Sequence, residues 1–362
     1  MNIAYIITGL GIGGAERVTI DIANRISKLS NNVIILYLTG ENLHKTDIDA
    51  SVKTYALNMK KTPWSFIGAI FRTRKILKSF SPDVVHGQMF HANIFARILK
   101  IFYRIPKLIS TEHTIYIGIN FRMFIYRITD FLSDINSNVS ETATNYFVEK
   151  KAFSKSKSLT VYNGIDLSKF RFNNTVRKDI RNRYNIKEDD FVFLNVGRLI
   201  LQKDHKNLLR SFSFLIKAGS KAKLIIVGLG ELVNELKEYA CEKKIEDYVI
   251  FTGIRNNVED YYSVADCFVL SSSFEGFGIV IVEAMAVGLP VITTEAGGAC
   301  GEILQNKEFV VPIKNSEALF AKMKYILKNP QQKFKVGNEN KEKSKRFDVE
   351  LISNQWFDIY KM

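Results

Sequence analysis

Two glutamates stand eight residues apart in a stretch of glycine, serine and apolar residues that suits polar chemistry. Glu275 is followed directly by Gly276–Gly278, and Glu283 comes after a run of aliphatic residues. A carboxylate accepts hydrogen bonds from two hydroxyls at once, so the pair suits a ligand with several hydroxyls. Backbone N–H groups around Gly278–Val280 would begin a helix and could hold a phosphate. The alternative, that both glutamates are solvated surface residues, fits Glu275 less well in so glycine-rich a loop.

Two cations, Arg198 and Lys203, lie five residues apart after the apolar run Phe191–Gly197. Open parallel sheets bind ligands beyond the carboxyl ends of their strands, where these side chains are expected. Positive charge at that place could neutralise a leaving diphosphate. Both residues could also be ordinary surface cations, and the spacing alone leaves this open.

A first glycine turn, Gly9–Gly14, has the GxGxxG spacing between a predicted strand and a predicted helix. Glycines allow close backbone approach, and the following helix N-terminus attracts an anion. Glu41 ends the next strand, where a dinucleotide-binding enzyme would place its ribose-binding acid. The turn therefore fits a nicotinamide dinucleotide, a sugar nucleotide or a purely structural role.

The sequence has only five histidines, and no His, Cys or Asp set has metal-ligand spacing. His113 follows a predicted strand, at a position where ligands bind. His86 and His91 flank a loop and could contact a substrate or only pack. His205, beside Lys203, is expected on the surface. We expect no bound metal.

The elements that must position these residues form two series of alternating strands and helices, which indicates two doubly wound α/β domains. The predicted domains are 1–168 and 169–345, followed by a terminal helical segment, 346–362, which could return to the first domain. Apolar runs predict strands at Ile3–Thr8, Val33–Leu38, Val52–Leu57, Val84–His86, Leu108–Ser110, Ile135–Val139, Leu159–Tyr162, Phe191–Gly197, Lys223–Gly228, Val249–Thr252, Cys267–Ser271 and Pro290–Thr293.

The charge of the chain points to an anionic partner. Its 362 residues include 51 basic and 37 acidic residues, a net charge of +14. Residues 1–170 hold 22 basic and 12 acidic residues, so the first half carries +10 of that excess. Nucleic acid, an anionic membrane and a phosphorylated substrate are all compatible with it. No nucleic-acid-binding module is recognisable, so nucleic acid is the least favoured of the three.

Three segments of the first half place basic residues beside aromatic and aliphatic ones: Ser65–Phe80, Phe95–Ile109 and Phe121–Leu132. Such segments suit an anionic membrane surface. They could equally be helices whose apolar side faces the core and whose basic side faces solvent. The three cysteines lack paired spacing, and neither a signal peptide nor a transmembrane segment is predicted, so we expect a cytoplasmic protein.

Taken together, these motifs resemble glycosyltransferase family 4, whose members have the GT-B fold. The resemblance covers nearly the whole chain. It is carried by Gly13–Arg17, Pro82–His86, Thr111–His113, Asn163–Asp166, Val196–Leu199, Lys203, and Glu275–Gly278 followed by Glu283. It implies two Rossmann-like domains that face a central cleft, and transfer of a sugar with retention of anomeric configuration.

The family resemblance also implies roles for individual residues. The residues that it places at the reaction are His113, Glu275, Arg198 and Lys203. The residues that it assigns to the donor are Gly13, Gly14, Arg198, Lys203, Arg255, Asn256, Glu275, Gly276, Phe277, Gly278, Ile279, Val280 and Glu283. His86 and His91 are the candidates for the acceptor.

The resemblance implies a nucleoside-diphosphate sugar as donor, for which we expect a UDP-sugar, and neither a metal nor another cofactor. The expected acceptor is a lipid-linked glycan or polysaccharide of O-antigen, capsule or lipopolysaccharide synthesis. The protein would then lie on the inner face of the plasma membrane. Two alternatives remain: an NAD-dependent oxidoreductase that uses Gly9–Gly14, and an inactive module that binds sugar nucleotides or membranes.

Overall fold

Parallel strand pairing organises the chain into two sheets. The structure is a computed structural model that describes residues 1–11, 13–29, 31–115, 120–297 and 299–362. Its contacts divide the chain into unit 1, Met1–Ile165 with Phe347–Met362, and unit 2, Asp166–Arg346. The expected boundary after residue 168 falls within a short 3-10 turn, Leu167–Lys169, at the start of unit 2.

Unit 1 contains a seven-stranded sheet in the order β3-β2-β1-β4-β5-β6-β7, with parallel neighbours throughout. Its strands are β1 (Asn2–Ile7), β2 (Asn32–Tyr37), β3 (Lys53–Ala56), β4 (Val84–Gln88), β5 (Lys107–Glu112), β6 (Ile135–Asn138) and β7 (Ser158–Thr160). Its helices before unit 2 are α1 (Gly14–Lys28), α2 (Pro63–Phe80), α3 (Phe90–Phe102), α4 (Asn120–Thr129) and α5 (Glu141–Glu149).

Local sequence explains where the helices of unit 1 begin. Thr62 accepts a hydrogen bond from the Ser65 amide at the start of α2, and Pro63 occupies its first turn. Ser140 caps α5 in the same way by accepting from the Ala143 amide. Both helices therefore begin at residues that satisfy otherwise unpaired backbone N–H groups.

Unit 2 contains a six-stranded parallel sheet in the order β10-β9-β8-β11-β12-β13. Its strands are β8 (Phe191–Val196), β9 (Ala222–Val227), β10 (Val249–Gly253), β11 (Cys267–Leu270), β12 (Val291–Thr294) and β13 (Val310–Val311). Its helices are α6 (Asn174–Arg183), α7 (His205–Lys217), α8 (Val233–Glu242), α9 (Val258–Val264), α10 (Ile279–Val287), α11 (Cys300–Leu304), α12 (Ser316–Lys328) and α13 (Pro330–Ser344). The two parallel sheets confirm the predicted fold class of two Rossmann-like domains.

The last helix, α14 (Val349–Lys361), belongs to unit 1. Its Tyr360 hydroxyl lies 2.8 Å from the Tyr5 hydroxyl of β1. Gly164 permits the close approach of this helix, because a Cβ there would lie 3.1 Å from the Val349 Cα. The C-terminal carbonyls of Ile359 and Tyr360 accept hydrogen bonds from Lys107. The helix is thus fixed to the sheet by side-chain and backbone contacts.

A fully buried arginine, Arg97, ties α3 to the sheet of unit 1. Its guanidinium donates to Ser110 Oγ at 3.2 Å and to Asn136 Oδ1 at 2.6 Å. It also lies over the ring of Tyr126, 4.9 Å from the centroid. Arg97 falls in the segment Phe95–Ile109, for which the sequence left a membrane surface and a core-facing helix open. Its burial removes it from that surface, since all these contacts are internal.

Glu112, the last residue of β5, is buried beside this arginine. Its Oε2 accepts a hydrogen bond from the Tyr126 hydroxyl at 2.8 Å, and its Oε1 accepts one from the His113 amide at 2.9 Å. Burial raises the pKa of the Glu112 carboxyl to about 7, against the lowering effect of these hydrogen bonds. The carboxyl therefore joins β5 to α4 and takes up a proton more readily than an exposed glutamate.

The raised pKa predicts that Glu112 makes stability depend on pH. Between pH 4.5 and about 7 the unfolded carboxyl loses its proton while the folded one keeps it, so stability falls as pH rises. Across this range the free energy of unfolding falls by about 3 kcal/mol, since each unit of pKa difference contributes about 1.4 kcal/mol. Glu112→Gln removes this titration. Urea unfolding of both proteins across this range should show wild type losing stability relative to the variant as pH rises. Parallel profiles would contradict the assignment.

Candidate active site

An ion pair lies beyond the carboxyl ends of β8 and β11 in unit 2. Lys203 Nζ lies 2.5 Å from Glu275 Oε1, and the two side chains are only 16% and 7% exposed. The Ser272 hydroxyl donates to the same oxygen at 2.5 Å. A buried ion pair persists only where hydrogen bonds satisfy its remaining polar atoms, and Ser272 supplies one of them. Among the described residues, the hydrogen bonds to this carboxylate fall on Oε1.

Hydrogen bonds to backbone carbonyls hold the two loops of this ion pair together. Gln202 Nε2 donates to the Phe274 carbonyl at 2.9 Å, and the Ser273 amide donates to the Gln202 carbonyl at 2.9 Å. The Ser271 hydroxyl donates to the Lys203 carbonyl at 2.9 Å. The loops that follow β8 and β11 thus form one rigid platform, and Lys203 and Glu275 are set by its backbone.

Glu283 lies on α10, in the helix that follows the glycine loop. Its Oε2 accepts a hydrogen bond from the Tyr262 hydroxyl at 2.5 Å. Tyr262 is buried, and burial together with the adjacent carboxylate raises its pKa well above the usual value, so it stays a hydrogen-bond donor. Tyr262 thereby fixes one oxygen of Glu283. No motif in the sequence identified Tyr262, because it lies on α9, outside the glycine loop.

The glycine loop Gly276–Gly278 turns the chain from β11 into α10. Gly278 is the N-cap of α10 and has a φ of +86°, in the left-handed region that favours glycine. Phe277 is buried at 3% exposure. Ile279 and Val280 form the first turn of the helix, so the loop and the predicted phosphate-binding amides lie at one helix N-terminus.

Arg198 follows β8 and is exposed to solvent. Its loop lies against the turn after β9, where a Cβ on Gly230 would come within 2.3 Å of the Leu199 carbonyl oxygen. Arg255 and Asn256 follow β10 and are exposed, and Arg255 Nη2 lies 3.3 Å from the Tyr184 hydroxyl. The structure thus places all three at carboxyl ends of strands of the same sheet.

The expected surface position of His205 is wrong. The residue is 2% exposed at the start of α7, and its Nε2 lies 3.0 Å from Asn195 Oδ1. Burial lowers its pKa to about 4. The error arose because the neighbouring lysine suggested a solvated turn, whereas the helix that begins here directs His205 inward.

In unit 1, His113 follows β5, as its position in the sequence predicted. Its Nε2 lies 2.7 Å from Gln88 Oε1, and burial lowers its pKa to about 4, so the ring is neutral near pH 7. Gln88 closes β4, the neighbouring strand, and is 4% exposed. Gln88 belongs to none of the sequence motifs, although it lies two residues after His86 at the carboxyl end of a predicted strand.

The two histidines considered for the acceptor lie in different surroundings. His86 is 1% exposed within β4, and its ring nitrogens lie 2.8 Å from the Tyr360 hydroxyl and 2.6 Å from Thr111 Oγ1. These internal partners argue against the acceptor contact predicted for His86. His91 lies on the first turn of α3 and is exposed on one side. Partial burial of its ring lowers its pKa, and the positive charges of Arg122 and Lys61 lower it further.

The first glycine turn lies at the start of α1. Gly13 caps the helix in an extended conformation, and a Cβ there would lie 2.3 Å from Glu16 Oε2. Gly14 is the first helical residue. Ile12, within the predicted turn Gly9–Gly14, lies outside the described residues. Gly13 and Gly14 belong to unit 1, whereas the ion pair belongs to unit 2.

Within the described ranges, no group of three His, Cys, Asp or Glu side chains is placed to hold a metal ion. Across the same residues, every helix is too short or too polar to cross a bilayer.

Comparison with known proteins identifies the family. A sequence model described as "Glycosyltransferase Family 4" matches residues 12–169, and one described as "Glycosyl transferases group 1" matches residues 176–343. An uncharacterised glycosyltransferase of Haemophilus influenzae is 26% identical over 99% of both chains.

A second relative is named N-acetylgalactosamine-N,N'-diacetylbacillosaminyl-diphospho-undecaprenol 4-alpha-N-acetylgalactosaminyltransferase, from Campylobacter jejuni. It is 25% identical over 97% of both chains. The crystal structure of Anabaena HepE in complex with UDP aligns over 100% of both chains, with a TM-score of 0.88 and 19% identity. The two family matches together span both units, and they confirm the predicted resemblance: the chain belongs to glycosyltransferase family 4 and has the GT-B fold.

Proposed function

We propose that this glycosyltransferase moves a sugar from a nucleoside-diphosphate sugar, with a UDP-sugar as the expected donor, to a lipid-linked glycan or polysaccharide, with retention of configuration. The proposed setting is the synthesis of surface glycans such as O-antigen, capsule or lipopolysaccharide. The observation that carries the proposal is the buried pair of Lys203 and Glu275, 2.5 Å apart on a rigid platform in unit 2. It offers one cation for a diphosphate and one carboxylate for sugar hydroxyls.

The division of labour within this pair follows from its geometry. Ser272 and Lys203 both bond to Glu275 Oε1, so Oε2 is the oxygen that we assign to a hydroxyl of the transferred sugar. Lys203, with the exposed Arg198 in the same loop, would face the diphosphate. Fixed positive charge stabilises the negative charge that develops on a leaving phosphate, and it needs no reorganisation during the reaction.

Glu283 is assigned to the ribose of the donor. Tyr262 donates to its Oε2 and so fixes the carboxylate, to which we assign hydrogen bonds from the ribose hydroxyls. Arg255 and Asn256, beyond β10, are the candidates for the nucleobase. The backbone amides at the start of α10 are assigned to the phosphates, since a helix N-terminus attracts anions.

The proposed mechanism requires no basic side chain for the transfer. If the acceptor hydroxyl attacks from the face that the phosphate leaves, the departing phosphate oxygen takes the hydroxyl proton. The residues then orient the donor and stabilise charge. Arg198 and Lys203 would supply the positive charge that a divalent metal provides in other enzymes, so we propose that transfer needs neither a metal nor a cofactor.

The comparisons support the donor and acceptor classes. The Anabaena structure is a complex with UDP, and the name of the Campylobacter jejuni relative describes a diphospho-undecaprenol acceptor. A nucleotide donor and a lipid-linked glycan acceptor are therefore the classes proposed for this chain.

An exposed apolar face of unit 1 supports a location at a membrane. Phe121, Phe124 and Ile128 of α4 are 63%, 54% and 51% exposed, and the following Phe131 is 74% exposed. The spacing of these residues places them along one side of the helix and its extension. Apolar side chains of this size bind the boundary between lipid headgroups and acyl chains.

Basic residues accompany this apolar face. Arg127 of α4 is exposed, whereas Arg122 of α4 lies over the Phe90 ring and Lys100 of α3 forms an ion pair with Asp134 at 2.5 Å. Near an anionic membrane each cation contributes about 1 kcal/mol.

All three segments that could meet the membrane also bury residues in the core, for example Leu77 of α2, Phe95 of α3 and Tyr126 of α4. The proposed membrane face centres on α4 because the four large apolar side chains on its outer side are each more than half exposed, and the protein would bind the inner face of the plasma membrane from the cytoplasm.

Glu275→Gln tests the assigned chemistry. The amide is isosteric but lacks the charge that binds a sugar hydroxyl in the transition state, so kcat should fall at least about 100-fold. UDP binding, measured by calorimetry, should persist because Glu275 is assigned to the sugar rather than the nucleotide. The exposed Glu238 of α8 provides a matched control, since Glu238→Gln should retain wild-type turnover.

The assay is a screen of UDP-sugars with mass analysis of the product, run with and without EDTA. Wild-type turnover in Glu275→Gln would refute the role of this carboxylate. Loss of wild-type turnover in EDTA would refute metal independence.

The membrane proposal predicts that Phe124→Ser with Phe131→Ser weakens binding to anionic vesicles at least about tenfold. The reason is that burial of one phenylalanine side chain contributes about 1.5–3 kcal/mol of binding free energy. Phe334→Ser, at a phenylalanine of unit 2 that is 66% exposed, is the matched control and should bind as wild type does. Vesicle co-sedimentation at low and high salt measures both contributions. Equal binding by the double variant and wild type would remove α4 from the membrane face.

A further inference from the structure

A chain of buried polar groups runs through unit 1 from α14 to His113. The Tyr5 hydroxyl lies 2.8 Å from the Tyr360 hydroxyl, which lies 2.8 Å from His86 Nδ1. Gln88 Nε2 lies 3.1 Å from His86 Nε2, and Gln88 Oε1 lies 2.7 Å from His113 Nε2. Gln88 therefore bridges two imidazole rings with the two different ends of one amide.

The amide dictates where the protons of both rings lie, since its nitrogen only donates and its oxygen only accepts. His86 Nε2, opposite the amide nitrogen, must be an acceptor, so the His86 proton is on Nδ1 and is donated to Tyr360. His113 Nε2, opposite the amide oxygen, must carry the proton. The Nδ1 of His113 is then left with a lone pair.

The lone pair on His113 Nδ1 is not used within the described part of the protein. This nitrogen is buried and has no hydrogen-bond partner among the residues that the structure describes. His113 lies on the wall of a small pocket of unit 1 that is also lined by Thr19, Asn163 and Trp356. Burial lowers the pKa of the ring to about 4, so the lone pair stays available near neutral pH. An unprotonated imidazole nitrogen accepts a hydrogen bond from a hydroxyl that reaches it.

We infer that Gln88 is a positioning residue: it holds His113 as the neutral Nε2–H tautomer, so that Nδ1 accepts a hydrogen bond from a hydroxyl of the sugar substrate. The inference rests on the proposed function, which supplies that hydroxyl. The opposite tautomer would place an N–H at Nδ1, which would donate to a substrate oxygen instead of accepting a hydroxyl proton. The tautomer thus determines whether His113 accepts a hydrogen bond from the substrate or donates one to it.

The test is NMR of the protein labelled with 15N-histidine, in which two-bond 1H–15N couplings distinguish the nitrogen that carries the proton. With only five histidines, His113→Gln assigns the His113 signals by their disappearance. Wild-type His113 should show a protonated Nε2 and a bare Nδ1 without any substrate present. A proton on Nδ1 would overturn the inference whether or not a variant folds.

Gln88→Met removes both polar ends of the amide at similar volume and should give His113 a mixture of tautomers. Thr111→Val is the matched control: it removes the hydroxyl that lies 2.6 Å from His86 Nε2 but leaves the bond between Gln88 and His113, so the His113 spectrum should not change. An unchanged His113 spectrum in Gln88→Met would contradict the role of Gln88.

Kinetics give the second readout. Gln88→Met should lower kcat about tenfold, the effect of one lost hydrogen bond, while the donor KM stays close to wild type. An unchanged kcat would overturn the role of the tautomer in transfer. Failure of the proposed function is separable, because a wild-type protein that shows the Nε2–H tautomer but transfers no sugar would contradict glycosyl transfer and still support the assignment of Gln88.

Discussion

Parallel pairing of the strands is the constraint on which both candidate sites depend, because it brings the carboxyl ends of distant segments to the same edge of a sheet. In unit 2, β8 and β11 are neighbours, so the loops after them meet and Lys203 bonds to Glu275 across 72 residues of sequence. In unit 1, β4 and β5 are neighbours, so Gln88 meets His113 across 25 residues. Each unit thus builds its polar site from two adjacent strand ends.

The polar groups at these edges are buried, which makes their partners essential. Removing a lysine and a glutamate from water is unfavourable, and a close pair with a further hydrogen bond from Ser272 offsets that penalty. Such a pair adds little stability compared with apolar packing. Glu112 shows the same principle, since burial raises its pKa to about 7 although two hydrogen bonds favour the ionised form.

Sequence patterns predicted the repeated elements well. The strands expected at Val52–Leu57 and Leu108–Ser110 correspond to β3 and β5, because an apolar run bounded by turns is read from local composition. The glycine loop before α10 was predicted because Gly276–Gly278 stand next to each other in the sequence. Local composition does not predict, however, which way a side chain points. Arg97 lies in the segment Phe95–Ile109, which suited a membrane surface and a core-facing helix equally, and it is buried because its helix faces the sheet.

The site residues that no sequence motif identified are those whose hydrogen-bond partners are distant along the chain. Gln88 and Tyr262 belong to no motif, and each acquires its partner only when strands and helices pack. The roles assigned to Lys203 and Glu275 remain predictions, although the structure shows that the two side chains touch.

The most direct test of the account is calorimetric titration of UDP into wild type and Lys203→Met, with circular dichroism to verify that the variant is folded. If Lys203 neutralises the diphosphate, wild type binds UDP and the variant binds it at least about tenfold more weakly, because one charge-assisted hydrogen bond contributes about 1.5–3 kcal/mol. Equal affinity for UDP in the two folded proteins would contradict the claim that this ion pair is the centre of the donor site.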